Sequence, residues 1–307
     1  MSDLVTSWPE DFRAGFVALV GRPNAGKSTL TNALVGTKVA IMSDRPETTR
    51  RAIRGVVQRQ DCQLVLVDTP GLHRPRTLLG QRLNDMVDEA LDDVDAVVVC
   101  LPADERIGPG DRFVVERALR TGRPVVAAVT KTDRVGRAAL PPKLIEVDSL
   151  GEFAGIVPVS AATGSQVEDL VGVLRTLMPT SPPLYPREQL TDESDDVMIA
   201  ELVREAALEG VREELPHSLA VVVDEIVERD RSGGRGSMPY VYVSLYVERE
   251  SQKAIVIGRG GARLKEVGSR ARRGIEELLG RKVYLNLHVK VAKDWQQDPK
   301  QLGKLGF

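Results

Sequence analysis

The sequence predicts two domains: a doubly wound α/β domain with a mostly parallel sheet, followed by a smaller α+β domain. In the first 178 residues, apolar strand patterns alternate with helix patterns, which is typical of a parallel sheet with helices on both faces. A Pro-rich segment, 179–186, comes next. Beyond it the order changes to helix–strand–strand–helix–helix–strand. A chain of 307 residues is long enough for two separate cores.

The predicted limits are 1–178 for the first domain, 179–194 for a semi-rigid linker and 195–307 for the second domain. Apolar runs and helical patterns place the elements of the first domain as strands at 16–20, 62–67, 124–129 and 155–159, with helices starting near 29 and 167. The second domain is predicted to contain a helix at 197–214, strands at 220–229 and 240–250, two helices around a turn at 258–261, and a strand at 282–291.

A phosphate-binding loop, here called the phosphate loop, follows the first apolar strand. Residues 21–28 read Gly-Arg-Pro-Asn-Ala-Gly-Lys-Ser, and a helix pattern begins at Thr29. Glycines allow backbone N–H groups to surround phosphate oxygens, and the helix start adds a positive dipole end. We expect Lys27 to contact the β- and γ-phosphates and the Ser28 hydroxyl to bind Mg²⁺. The predicted phosphate-loop contacts are Gly21, Asn24, Ala25, Gly26, Lys27, Ser28 and Thr29.

Asp68-Thr69-Pro70-Gly71 comes directly after another apolar strand. Alone, this is an ordinary turn sequence. At the end of a buried strand downstream of a phosphate loop, however, an Asp is the usual carboxylate near Mg²⁺. Gly71 leaves room for its backbone N–H to approach a γ-phosphate. We therefore assign Asp68 to the metal site and Gly71 to the γ-phosphate.

A base-recognition loop, here called the base loop, is expected at residues 130–133, Thr-Lys-Thr-Asp. It resembles the Asn-Lys-x-Asp element with which GTPases recognise guanine. In that element the Asp accepts the guanine N1 and N2 hydrogens, and the Lys stem lies over the base. Adenine would leave Asp133 unpaired, which provides specificity. Thr130 replaces the usual Asn, so we expect weaker guanine affinity but intact selectivity.

Residues 160–162, Ser-Ala-Ala, follow the last predicted strand of the first domain. They resemble the loop whose backbone N–H meets the guanine carbonyl oxygen. All these segments follow strand ends, and ligands bind at the carboxyl ends of strands in such sheets. The sequence therefore predicts one pocket for GTP or GDP. Its expected base and metal contacts beyond the phosphate loop are Asp68, Gly71, Thr130, Lys131, Asp133, Ser160, Ala161 and Ala162.

The second domain has the features of a nucleic-acid module. Gly258-Arg259-Gly260-Gly261 resembles the Gly-x-x-Gly loop of a KH domain, and the element order matches the type II arrangement. Such a loop holds the backbone of about four single-stranded nucleotides. Residues 249–293 contain twelve Lys and Arg against four Glu, within a chain of formal net charge −2. This local excess indicates phosphate binding. The predicted RNA contacts are Gly258, Arg259, Gly260, Gly261, Arg263 and Lys265.

Together the two halves resemble the Era family, through the motifs above and Val-Tyr-Val-Ser-Leu-Tyr-Val-Glu-Arg at 241–249. The resemblance covers nearly the whole chain. It implies a GTPase that binds the 3′ end of small-subunit (16S) ribosomal RNA and acts in maturation of that subunit. It also implies peripheral association with the membrane. The departures from the family pattern are Thr130 and Ala162.

The resemblance also bears on hydrolysis. Within the polar segment 42–50 it favours Thr49 over Thr48 as the residue that completes the Mg²⁺ shell and releases after hydrolysis. Leu72 stands where Ras-type proteins have a water-orienting Gln, so we expect slow intrinsic turnover. Asn24 has two interpretations: it helps to hold K⁺, as in some related GTPases, or it caps the next helix. The expected catalytic residues are Lys27, Thr49, Gly71 and Asn24.

Two other classes of function stay open at this point. One is an RNA-binding scaffold or chaperone in which the nucleotide only gates the KH surface. The other is a P-loop kinase, which the base loop and the KH half disfavour. No apolar run approaches the ~20 residues of a membrane span, and the short N-terminus is acidic, so we expect a cytoplasmic protein. We also expect a monomer. Trp295 either packs against its domain or stacks on a base.

Overall fold

A computed structural model of the chain describes residues 8–41, 53–72, 75, 77–209, 218–230 and 237–307. The chain divides into two compact units. The first contains Leu83–Asp192 and most of the chain before it, and the second contains Glu193–Phe307. The predicted fold class, a doubly wound domain followed by a smaller α+β domain, is confirmed.

The first unit is built on a six-stranded sheet in the order β2-β3-β1-β4-β5-β6. All its pairings are parallel except that of β2 with β3. This antiparallel edge strand explains why the sheet is only mostly parallel, as the sequence predicted. The strands are β1 (Arg13–Val20), β2 (Ile53–Gln58), β3 (Cys62–Asp68), β4 (Ala96–Pro102), β5 (Val125–Thr130) and β6 (Gly155–Pro158).

Helices cover both faces of this sheet, and each face has its own apolar core. One core joins β-strand residues such as Leu64 to Leu30 and Leu170 of the flanking helices, and the other joins Val97 to Val114. Strands buried on both faces read as continuous apolar runs, which explains why they are visible in the sequence. The helices are α1 (Lys27–Val35), α2 (Leu78–Asp92), α3 (Pro109–Leu119), α4 (Leu140–Asp148) and α5 (Val167–Leu177).

The parallel register brings the ends of several strands to the same edge of the sheet. Leu19 of β1 pairs with Asp68 of β3, and Pro102 of β4 pairs with Thr130 of β5. The phosphate loop, the base loop and Ser160 therefore all begin at this edge.

The Pro-rich segment packs against the β2–β3 edge of the first unit. The fully buried Gln63 side chain accepts hydrogen bonds from the backbone N–H groups of Leu184 (2.6 Å) and Tyr185 (2.9 Å). Further along, the N–H of Val56 donates to the carbonyl of Leu190 (2.8 Å). The predicted limits of the linker, 179–194, stay a prediction. The structure adds that much of this segment is fixed in place on the first unit.

The second unit contains a three-stranded sheet in the order β7-β8-β9. β7 and β8 are antiparallel, and β8 and β9 are parallel. The predicted order helix–strand–strand–helix–helix–strand is present, and a short C-terminal helix that was not predicted follows it. The elements are α6 (Asp195–Leu208), β7 (Ala220–Asp230), β8 (Ser237–Val247), α7 (Glu250–Ile257), α8 (Ala262–Leu279), β9 (Tyr284–Val291) and α9 (Pro299–Leu305).

The core of the second unit lies between the sheet and its helices. Ile199 of α6, Val243 of β8 and Ile275 of α8 are fully buried there. Trp295 is also fully buried, and its Nε1–H donates to the carbonyl of Ser218 (3.0 Å). Base stacking by Trp295 was therefore the wrong alternative, because its ring is inside the protein.

Candidate functional site

The phosphate loop connects β1 to α1 in a conformation that depends on Gly26. This residue is the N-cap of α1 and has a φ of 92°, a left-handed value that favours glycine. Gly26 has no side chain with which to cap α1, so both interpretations of Asn24 stay open. The side chain of Asn24 is exposed, and its backbone is in the left-handed region, with a φ of 63°.

Lys27 lies at the start of α1 and is buried beneath the phosphate loop. Its ammonium donates to the carbonyl oxygens of Gly21 and Arg22, both at 3.2 Å. Burial lowers the pKa of Lys27, and the nearby Asp68 carboxylate acts in the opposite direction. A buried ammonium close to the loop is therefore available to bind an anion, as the phosphate assignment requires.

The segment that follows β3 lies directly against the phosphate loop. Asp68 is fully buried, and the Thr69 hydroxyl donates to the carbonyl of Leu19 (2.7 Å). A Cβ on Gly71 would lie 2.7 Å from the backbone nitrogen of Pro23, so only glycine fits there. Leu72 is buried, and its N–H donates to the carbonyl of Gly21 (3.2 Å). The Leu72 side chain thus belongs to the core and cannot orient a water.

The base loop and the loop after β6 meet through one hydrogen bond. The Ser160 hydroxyl donates to Oδ1 of Asp133 (2.6 Å), and Ser160 is fully buried while Asp133 is exposed. A carboxylate has about four lone-pair sites, so Asp133 keeps acceptor capacity for a ligand. Ala161 is half-buried and Ala162 is exposed beside it. Ser160 therefore acts as a support that fixes the orientation of Asp133.

Thr130 connects the base loop to the phosphate loop. Its hydroxyl donates to the carbonyl of Ala25 (2.7 Å), across 105 residues of sequence, and the side chain is buried. The predicted nucleotide-binding residues of the phosphate loop, the end of β3 and the base loop are thus held together at one edge of the sheet.

A charged cluster that was not predicted joins the same two loops. Glu105, just after β4, accepts from Arg22 of the phosphate loop (3.0 Å) and pairs with Lys131 of the base loop (3.4 Å). Arg22 also donates to Asp111 of α3 (2.6 Å). Burial alone would lower the pKa of Arg22, but its bonds to Asp111 and Glu105 hold that pKa above the usual value.

Burial and the neighbouring cations act in opposite directions on the pKa of Glu105. Burial would raise the pKa of Glu105, but the bond from Arg22 and the charges of Arg22 and Lys131 keep it below the usual value. Glu105 therefore stays ionised and holds Lys131 in place. Glu105 lies three residues after Pro102, the last residue of β4, and no motif in the sequence marks it.

The Gly-x-x-Gly loop of the second unit joins α7 to α8. Gly258, Gly260 and Gly261 have φ values of 73°, 57° and 79°. A Cβ on Gly258 would lie 2.7 Å from Cβ of Arg263, whereas the space around Gly260 and Gly261 is open. The loop thus presents bare backbone on one side, where a nucleic-acid chain can lie close to it.

The three basic residues that the sequence predicts as RNA contacts fall into two groups. Arg259 and Lys265 are exposed beside the loop. Arg263 instead donates to the carbonyls of Ala207 (3.2 Å) and Glu209 (2.9 Å) at the end of α6. Its guanidinium therefore satisfies helix-end carbonyls, a role that sequence reasoning missed.

Two further points concern metal binding. Thr48 and Thr49 lie outside the described residues. Within the part of the chain that the structure describes, no group of three or more His, Cys, Asp or Glu side chains could hold a metal ion.

Two family models match the chain: one described as a 50S ribosome-binding GTPase over residues 16–131, and a KH domain over residues 214–296. The GTPase Era of Mycolicibacterium paratuberculosis is 61% identical over 97% of this chain and 99% of its own length. That of Mycobacterium tuberculosis is 60% identical with the same coverage. The chain belongs to the Era family. It is a GTPase, and the resemblance drawn from its sequence is confirmed.

Solved structures of Era agree with the fold of this chain. A variant of Aquifex aeolicus Era bound to GDP and AlF4⁻ has a TM-score of 0.91 and 36% identity, covering 96% of this chain and 99% of its own. An Era in complex with MgGDPNP and nucleotides 1506–1542 of 16S ribosomal RNA has a TM-score of 0.92 with the same identity and coverage. The fold of this chain is thus that of Era.

We predict that Ser160→Ala weakens GTP and GDP binding by about tenfold, because a hydrogen bond to a charged group contributes roughly 1.5–3 kcal/mol and Asp133 is partly screened by solvent. KM for GTP should rise while kcat changes little, since the bond supports binding of the base. Thr163→Ala in the same loop is the control and should leave both constants unchanged. Unaltered affinity in Ser160→Ala would show that Asp133 does not depend on this hydroxyl.

Proposed function

We propose that this GTPase is a switch that binds the 3′ end of 16S ribosomal RNA and acts in assembly of the small ribosomal subunit. The observation that carries the proposal is the likeness, along 96% of the chain, to an Era held with both a GTP analogue and a 16S segment. The family model for the first domain mentions the 50S subunit. The RNA complex weighs more because it matches both domains.

On the nucleotide side, Lys27 would bind the β- and γ-phosphates of GTP, and the phosphate loop would surround them with backbone N–H groups. The donor set suits Mg²⁺, which prefers oxygen ligands and keeps several waters. The Ser28 hydroxyl and the buried Asp68 carboxylate would hold the ion from one side, with Thr49 completing the shell. Mg²⁺ would neutralise charge on the phosphates during hydrolysis.

For hydrolysis, the buried Leu72 leaves the attacking water without a side-chain partner at this position. The backbone N–H of Gly71, which lies against the phosphate loop, would meet the γ-phosphate. We propose that Asn24 helps to hold K⁺ where an arginine finger would otherwise act, because it is exposed at the rim of the phosphate loop. Intrinsic turnover would then be slow and dependent on this ion.

On the RNA side, the open backbone around Gly260 and Gly261 would lie against sugar and phosphate. The exposed Arg259 and Lys265 would neutralise phosphate charge beside it. Arg263, which is engaged with α6, would support the loop from behind. RNA affinity should therefore depend on both the loop backbone and its flanking charges.

A second candidate is an RNA scaffold in which the nucleotide only shapes the KH surface, and the buried Leu72 favours it. Single-turnover hydrolysis with and without the 16S 3′ end separates the two, because only a switch is stimulated by RNA. Peripheral membrane association stays a prediction from the family. Within the described residues, no helix is long and apolar enough to cross a bilayer.

We predict that K⁺ accelerates hydrolysis by about tenfold over Na⁺ at equal ionic strength, because a bound cation stabilises charge that develops between the β- and γ-phosphates. Asn24→Ala should remove this difference, and GDP affinity is measured alongside because Asn24 is also a predicted nucleotide contact. The rate of phosphate release, measured in K⁺ and in Na⁺ for the wild type and for Asn24→Ala, tests both the acceleration and its loss. Equal rates in wild-type protein would remove the K⁺ proposal.

We predict that Gly260→Asp abolishes binding of a 16S 3′-end oligonucleotide but leaves GTP affinity unchanged, because the new carboxylate repels phosphate. Gly260→Asn is the matched comparison: it has the same shape as Asp and tolerates a left-handed backbone but carries no charge, so it should weaken RNA binding less than Gly260→Asp does. Lys27→Ala should abolish nucleotide binding but leave binding of the oligonucleotide intact. Full RNA affinity in Gly260→Asp would contradict the KH assignment.

A further inference from the structure

The side chain of Thr130 has only one hydrogen-bonding hydrogen, and the structure shows where it goes. The Thr130 hydroxyl donates to the carbonyl of Ala25 at 2.7 Å. A carbonyl oxygen only accepts hydrogen bonds, so the hydroxyl must be the donor. The side chain is 4% exposed, which leaves it little freedom to turn elsewhere.

This assignment matters because guanine presents several hydrogen-bonding groups that a protein can recognise. N1 and N2 are donors, and O6 and N7 are acceptors. In the proposed site Asp133 takes the two donors, and a backbone N–H of residues 160–162 meets O6. N7 needs a separate hydrogen-bond donor. An Asn at position 130 would have two amide hydrogens, one for Ala25 and one to spare. Thr130 has none to spare.

We propose that this GTPase binds guanine nucleotides without a hydrogen bond to N7 from position 130, so that it accepts 7-deazaguanine nucleotides as well as GTP. The inference rests on the proposed guanine site and adds a specificity to it. Thr130 is here a positioning residue, because its hydroxyl holds the phosphate loop. The same hydroxyl hydrogen cannot also bind N7, so the protein does not distinguish guanine from 7-deazaguanine at this position.

The packing around Thr130 supports this role. A Cβ on Gly26 would lie 3.6 Å from both Cβ and Oγ1 of Thr130, so the side chain also lies against the phosphate loop next to Lys27. The backbone carbonyl of Thr130 accepts from Ala103 (2.8 Å), which fixes the end of β5. The side chain is thus held from both sides with its hydroxyl directed at Ala25.

The test is competition of GTP, 7-deaza-GTP and ATP against a fluorescent GDP analogue on the full chain. 7-Deaza-GTP keeps N1, N2 and O6 but has C–H in place of N7. We expect its Kd to lie within about twofold of that for GTP, since no hydrogen bond is lost. Binding is measured directly, so the result does not depend on turnover.

Two variants make the test specific to Thr130. Thr130→Asn should prefer GTP over 7-deaza-GTP by about fivefold, the usual worth of one neutral hydrogen bond. Thr130→Val has the same shape without the hydroxyl, and it should weaken both nucleotides equally because the carbonyl of Ala25 loses its partner. Its ratio of the two Kd values should stay near that of the wild type.

Several results would overturn the inference. If the wild-type protein binds 7-deaza-GTP at least fivefold more weakly than GTP, it does recognise N7. Loss of that discrimination in Thr130→Val would then assign the reading to the hydroxyl, and its persistence would assign it to another group. A Thr130→Asn variant without any preference would show that position 130 does not reach N7. Failure of the guanine site itself looks different, since ATP would then compete as well as GTP.

Discussion

The parallel pairing of strands is the constraint on which the nucleotide site depends. Because Leu19 lies opposite Asp68 and Pro102 opposite Thr130, separate segments of the chain end at one edge of the sheet. Small side chains and glycines then allow these segments to touch: a Cβ on Gly71 would collide with the backbone of Pro23. The site is therefore a consequence of strand register, with loop chemistry added to it. A shift of one strand by a single residue would separate the carboxylates from the phosphate loop.

The two halves of the site are also joined by polar contacts between protein groups. The Thr130 hydroxyl holds Ala25, and Glu105 lies between Arg22 and Lys131. Such contacts keep the phosphate-binding and base-binding parts in fixed relation, which lowers the ordering cost of binding. They also place several charges close together, with the pKa of Glu105 held low by its two cations.

Much of this arrangement follows from the sequence, because its motifs describe local backbone geometry. Positive φ values at Gly26 and at Gly258 are properties of a few adjacent residues, and buried parallel strands read as apolar runs. Contacts between distant residues are harder to predict. Nothing near Glu105 in sequence indicates Arg22 as its partner, and nothing near Arg263 indicates its bonds to the α6 carbonyls. Thr49, the predicted switch residue, lies outside the described residues, so its assignment stays a prediction.

The central claim is that Asp133, supported by Ser160, selects guanine through its N1 and N2 hydrogens. The most direct test is the affinity of Asp133→Asn for GTP and for xanthosine triphosphate, which has an oxygen where guanine has N2. The wild type should prefer GTP. The variant should prefer xanthosine triphosphate, because its amide donates to that oxygen and no longer accepts from N2. A variant that keeps its preference for GTP would contradict the account.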